Sequence, residues 1–315
     1  MATIPPVLII IFNRPDIVRN LIDSLSQVKP SLIYIAADGP RPDVPGEAER
    51  CLAARTVAQN IPWPCTVKTL FSEVNQGVDP AVEAAISWFF ENEPEGIILE
   101  DDCIPHPDFF TFTSEMLERY RSDERVMMVS GNNFQKERIR GDGSYYFSNY
   151  GNTWGWATWK RAWEKYDTAL AALPGFIEHN SLATILPRVE EQRFWIKYLR
   201  KLHAGTRTAW DTKWLFAQWL NNGVAIVPNT NLVENIGFGS DATHTVGDTS
   251  RSVDANSFPP PYRTPSSGDV HNEADRYLFD TVFRVTFMQK VRYILSILHG
   301  KARSISPTSS KTAPY

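Results

Sequence analysis

Short apolar runs alternate with helical stripes through the first 130 residues, and this alternation constrains the fold more than any other feature of the chain. Runs too short for helices, separated by amphipathic segments, read as βαβ units around a mainly parallel sheet. The strands are expected at Val7 to Phe12, Leu32 to Ala37, Thr66 to Phe71, Gly96 to Leu99 and Val126 to Val129. Between them, Ile17, Val18, Leu21, Ile22 and Leu25 mark one helical face, and Val82, Ile86, Phe89 and Phe90 mark another. Pro15 suits the first turn of the earlier helix.

In an open α/β sheet ligands bind beyond the carboxyl ends of the strands, so the residues at those ends matter most. They are Asn13-Arg14, Asp38-Gly39-Pro40, Asn75-Gln76-Gly77 and Glu100-Asp101-Asp102, all expected on one edge. Four polar ends on one edge make one composite site.

The acidic triplet is the sharpest of these. Ile97-Ile98-Leu99 buries a strand, and three adjacent carboxylates leave it together. Crowded like charges raise one another's pKa unless a cation or several donors compensate, which points to a hard divalent ion, Mg²⁺ or Mn²⁺. Such ions commonly take one or two protein carboxylates and fill the remaining positions with water and substrate phosphate, so a nucleoside diphosphate is the implied partner. The alternative is a solvated acidic turn with one Asp acting as a cap.

Asp38 and Arg14 could hydrogen-bond a base or phosphate, or could be an ordinary turn residue and helix start. Asn75-Gln76-Gly77 reads as a turn in which Gly77 permits close backbone approach. Further on, Asp211 opens a helix whose apolar members include Trp214, Leu215 and Leu220. It could be an N-cap, a general base whose proton affinity is raised by its aromatic surroundings, or both.

After residue 131 the chain turns to Gly, Asn and aromatics, with Trp154, Trp156, Trp159 and Trp163 crowded together as sugar platforms or core. Helices are expected at Ala183 to His203 and Asp211 to Asn221, a strand at Val224 to Val227, and a long loop over Gly237 to Asp269. From Thr281 to Tyr315 there are six Lys and Arg residues and no acid, and Phe283, Phe287, Val291, Ile294, Leu295 and Leu298 share a helical face. That segment could lie on an anionic membrane surface through residues 281–303 or dock as a terminal helix, with a disordered tail from Ser304.

Composition narrows the function classes. An apolar fraction of 43% with 22% charged residues is that of a globular protein, and a net charge of −4 disfavours nucleic acid as a partner. Three cysteines without CxxC spacing argue against a disulfide framework and a zinc site and fit a reducing cytoplasm. The apolar run near Met1 lacks a basic leader and is too short to span a bilayer. A cytoplasmic protein is expected, with any membrane contact peripheral.

Taken in order, Pro6-Val7-Leu8-Ile9 through Asn13-Arg14, the strand ending at Asp38, Ile97 to Asp102 followed by Pro107-Asp108-Phe109-Phe110, Gly155-Trp156 and Trp210-Asp211 resemble the GT-A glycosyltransferases typified by the mannosyl-glycoprotein N-acetylglucosaminyltransferase, and their bacterial sugar-transferase relatives. The resemblance spans about residues 5–245. It implies a Rossmann-like GT-A fold; residues 1–130 are then expected to bind the nucleotide sugar and 131–280 to form the acceptor side with the base, while 281–315, which shows no usable likeness, is the basic helix and tail read from its own pattern. It further implies that Asp102 is the metal ligand, Glu100 and Asp101 hold sugar or ribose hydroxyls, Arg14 and Asp38 hold the uracil end, and Asp211 is the catalytic base. Asn75, Gly77 and Trp156 join the donor-binding set, and His244 could reach the metal or diphosphate from its loop.

The expected activity is inverting transfer of a sugar, with N-acetylglucosamine a candidate, from a UDP-sugar to a glycan, lipid-linked sugar or protein. The nearest rival is a sugar-phosphate nucleotidyltransferase, whose glycine-rich basic loop is missing from Asn13-Arg14-Pro15-Asp16. The other is a non-catalytic carbohydrate-binding protein on the same fold.

Overall fold

The computed structural model describes residues 4–237 and 254–284. In chain order the first half holds β1 (Val7–Ile11), α1 (Pro15–Leu25), β2 (Leu32–Ala37), α2 (Glu47–Gln59), β3 (Thr66–Phe71), α3 (Val78–Asn92), β4 (Glu95–Glu100), β5 (Cys103–Pro105) and α4 (Pro107–Arg119). The second half holds β6 (Val126–Ser130), β7 (Tyr145–Ser148), β8 (Trp156–Trp159), α5 (Lys160–Trp163), α6 (Leu173–Glu178), α7 (Leu182–Ile185), α8 (Val189–His203), α9 (Trp210–Leu220), β9 (Val224–Pro228), β10 (Val233–Asn235) and α10 (Asn272–Leu278).

Eight strands form one sheet in the order β3-β2-β1-β4-β8-β6-β9-β7. Neighbouring strands from β3 to β4 are parallel, with Ile9 level with Ile35 on one side and with Leu99 on the other. β8 is antiparallel to both β4 and β6, β9 is parallel to β6, and β7 closes the edge antiparallel to β9. This is the mostly parallel, Rossmann-like α/β sheet with flanking helices that the alternation requires.

Strand periodicity divides the core into two layers. Val7, Ile9, Ile33, Ile35, Ile97 and Leu99 pack with α1, α2 and α4, while Leu8, Tyr34, Ala36 and Ile98 pack with α3 and α9. Because β1 to β4 run in parallel, their carboxyl ends share one edge, and the four polar ends meet there.

The described structure departs from the sequence reading in three places. The helix expected over Ala183 to His203 is two helices, since Pro187 cannot continue one and holds Leu186 extended. Trp156 and Trp159 lie on a strand, and Trp156 is buried among Trp163, Trp210 and Trp214. Strands β7 and β8 and the β5–β10 pair lie where no strand was expected. His244 and the greater part of the basic segment, residues 285–315, lie outside the described residues.

The chain divides into two compact units, Met1–Asp275 and Arg276–Tyr315. The second, as far as Arg284, contains the end of α10 and a π-helical turn at Phe279–Phe283. Among the described residues no helix is long and apolar enough to cross a membrane.

Candidate functional site

A cavity of about 620 Å³ opens at the carboxyl edge of the parallel strands. Arg14, Asp38, Asn75, Gly77, Glu100, Asp101 and Asp102 all line it, so seven residues drawn from four strand ends are brought together.

Asp38 is saturated with donors. Its carboxylate accepts from the amides of Gly39, Gln76 and Gly77 at 2.8–3.1 Å and from Asn75 Nδ2 at 2.9 Å. It therefore pins the Asn75-Gln76-Gly77 turn to the end of β2, and Asn75 also donates to the Gly39 carbonyl. Gly77, at φ +85, has the left-handed backbone that admits glycine most readily, and α3 starts immediately after it.

Arg14 lies in the acidic triplet. Its Nη2 pairs with Asp101 and, at 3.0 Å, with Asp102, and Nε donates to Asp101 at 3.2 Å. Burial opposes its charge, yet Asp101 and then Asp102 more than offset that, leaving its pKa raised. Asp101 is buried and, in spite of Arg14, desolvation lifts it to about 6. Glu100 is pushed up to about 8, by desolvation first and then by the charges of Asp102, Asp101 and Asp211. One guanidinium leaves the three carboxylates under-compensated.

Among the described residues no group of three or more His, Cys, Asp or Glu side chains is placed to enclose a metal ion by itself. Asp102 is nevertheless a suitable single ligand: it lines the cavity, Asn235 Nδ2 steadies its Oδ1 at 3.2 Å, and any side chain at Gly237 would collide with its carboxylate. A cavity-lining carboxylate with one oxygen paired to Arg14, beside excess negative charge, fits a Mg²⁺ or Mn²⁺ ion.

Asp211 is the second residue of α9, behind an N-cap at Ala209, so it is not the cap. Its Oδ1 accepts from the Thr212 amide at 2.7 Å. Solvent reaches the side chain, but dense surrounding protein and then the charge of Asp79 raise its pKa, outweighing the Thr212 bonds. Its influence on Glu100 places it within electrostatic reach of the cavity, although it is not one of the lining residues.

The tryptophan that lines the cavity is Trp154 rather than Trp156, which is 1% exposed. Sequence reasoning also missed Phe12, Arg41 and Glu47. Buried Glu47 accepts from Asn13 Nδ2 at 2.9 Å and from the Arg41 amide at 2.7 Å, and Arg41 first among its partners draws its pKa down to about 2. Arg41 in turn lies 5.7 Å over the Phe12 ring, and both line the cavity. A buried acid in Gly46-Glu47-Ala48 carries no signal in the sequence. Pro40-Arg41-Pro42 beside the Asp38 strand end was a readable one.

No protein-family model matches the chain, and no curated protein matches it. Among solved structures it is similar to a mannosyltransferase from Pyrobaculum calidifontis in complex with GDP-Man and Mn²⁺, at 14% identity over 49% of this chain and 44% of that one, with a TM-score of 0.34. HddC from Yersinia pseudotuberculosis gives 11% identity over 51% and 80% of the two chains, with a TM-score of 0.34. A UDP-glucose pyrophosphorylase complexed with UDP-glucose gives 9% over 51% and 70%, with a TM-score of 0.29. The chain thus spans less than half the length of the mannosyltransferase. Likeness this partial assigns no reaction, substrate or ligand to the chain.

Proposed function

We propose that the chain is a GT-A glycosyltransferase that transfers a sugar from a UDP-sugar to an acceptor hydroxyl with inversion. The observation that carries this reading is the meeting of Arg14, Asp38, Asn75, Gly77 and the Glu100-Asp101-Asp102 triplet at one cavity within electrostatic reach of Asp211. In this reading the cavity holds the nucleotide, and the Asp38-pinned turn with the Phe12–Arg41 wall shapes the space for the base. Arg14 keeps Asp101 and Asp102 together through its ion pairs. Asp102 would hold a divalent cation, which when bound supplies positive charge at the diphosphate.

Asp211 accepts the proton of the acceptor hydroxyl, whose oxygen forms a bond to the anomeric carbon as the bond from that carbon to the diphosphate oxygen breaks. UDP leaves with the electron pair. A raised pKa suits Asp211 to this task, because a stronger base removes a hydroxyl proton more readily. The test is a panel of sugar nucleotides with Mn²⁺, followed for UDP release. Slow hydrolysis of a UDP-sugar is expected. Pyrophosphate release from a nucleoside triphosphate and a sugar 1-phosphate, without UDP release, would replace the reading with nucleotidyl transfer.

A further inference from the structure

The chain is acidic overall, yet residues 192–210 contain no Asp or Glu and carry Arg193, Lys197, Arg200, Lys201, His203 and Arg207. Helix α8 buries Trp195, Leu199 and Leu202 against the protein. That orientation leaves Arg193, Lys197, Arg200 and Lys201, at helical spacings of four, three and one, exposed in one stripe. The stripe runs about 12 Å at 1.5 Å per residue.

These cations are not compensated from within. Arg188, at the start of the helix, pairs with Glu190 and Glu191, whereas Arg193, Lys197, Arg200, Lys201 and Arg207 have no acidic partner among the described residues. Exposed like charges in one row repel one another, so the row is most stable when an anion lies along it.

Tyr198, between Lys197 and Arg200 on α8, ties the stripe to the Asp211 region. After Gly205 the chain turns back and lays the Arg207 guanidinium 4.3 Å over the Tyr198 ring, fixing that cation on the helix. The Tyr198 hydroxyl is within hydrogen-bonding reach of Thr212, the neighbour of Asp211, and feels the Asp211 charge.

We infer that the α8 stripe and Arg207 are the acceptor subsite, and that the acceptor is an acidic saccharide chain lying along α8 with its reacting hydroxyl at Asp211. The inference rests on the glycosyltransferase reading and deepens it by naming the acceptor class. A chain fits better than a flat anionic surface, because the charges form a single row along one helix face, beside the Tyr198–Thr212 link to Asp211. It fits better than an isolated phosphate, because the row extends several residues from the reacting group.

The test is fluorescence anisotropy of labelled oligogalacturonate with the full chain and with the triple variant R193E/K197E/K201E, plus Arg207→Ala separately. All four positions are exposed, and melting temperatures check that folding is unchanged. Reversal of three charges is expected to weaken binding about tenfold or more at low salt, with Arg207→Ala giving a smaller loss. A neutral maltooligosaccharide of equal length should bind weakly and alike to all forms. Absent oligogalacturonate binding, or binding unchanged in the triple variant, would overturn the inference. So would stronger, variant-sensitive binding to phosphatidylglycerol–phosphatidylcholine vesicles, which would make the stripe a membrane contact. UDP binding with Mn²⁺ on the same samples separates the two readings: if it persists while oligogalacturonate fails, only the acceptor class is wrong.

Discussion

The two sides of the sheet are built on opposite principles. From β3 to β4 the strands are parallel and end together, so their carboxyl ends can present charged and hydrogen-bonding groups to a single cavity. From β8 to β7 the directions mix, and the space beside the strands is filled by stacked indoles such as Trp156 on Trp210 at 6.1 Å. The first side concentrates polar groups that burial makes costly, and the second concentrates apolar area that burial makes favourable. Cavity residues should therefore be replaceable with modest loss of stability, and the indole cluster should not.

The largest effect expected from this contrast is in the indole cluster. Trp156→Ala removes a fully buried side chain and should cost about 3–5 kcal/mol in chemical denaturation. Loss of UDP affinity with unchanged stability would instead make Trp156 a ligand platform and break the comparison.

Asp211→Asn sharpens it, since it lies on the indole side yet carries chemistry in the proposed function. Transfer should fall by about 10² to 10⁴ with the melting temperature near that of the parent, because the amide keeps the shape but not the proton affinity. Parental turnover would remove Asp211 from the reaction.

At Asp38, replacement by Asn leaves the turn with fewer acceptors for its backbone amides. A stability loss of about 1–3 kcal/mol is expected, with weaker UDP binding, because the pinned turn lines the cavity. Undisturbed stability would mean that the turn holds its shape without Asp38.

A pH slope is also expected. Buried Asp275 accepts from Ser148 Oγ and, at 3.0 Å, from the Asn149 amide, yet desolvation raises it to about 7. Its ordinary value is about 3.9, so between about pH 4 and 7 the folded chain holds more protons than the unfolded one. Stability from this group is full below that window and falls as pH rises through it, by at most about 1.4 kcal/mol per pH unit. Asp275→Asn should flatten the slope relative to the parent. Identical slopes in denaturation at pH 5 and 7 would contradict it.

The same contrast explains what could be read from the sequence. Strands β1, β2 and β4 are short, mostly buried apolar runs, and with the edge strand β3 they are spaced by helices, so their position, direction and polar ends were all legible. Strands β7 and β8 were not, because Tyr145–Ser148 and Trp156–Trp159 lie among aromatics and glycines whose pattern fits loop or core equally well. The triplet could be seen as a site, but not that Arg14 would neutralise part of it, because that pairing joins positions 87 and 88 residues apart. Asn235 reaches Asp102 through the β5–β10 pairing, which brings Asn235 level with Cys103, and a three-residue strand gives no periodic signal.

The central claim is that the parallel strand ends form a nucleotide site completed by a cation at Asp102. Calorimetric titration of UDP into the parent chain, with Mn²⁺ and then with excess chelator, tests it most directly, with Asp102→Ala as the third sample. The account predicts binding with Mn²⁺, loss of at least about tenfold in affinity in chelator, and a similar loss in Asp102→Ala with Mn²⁺ present. UDP affinity that is the same in all three samples would contradict it.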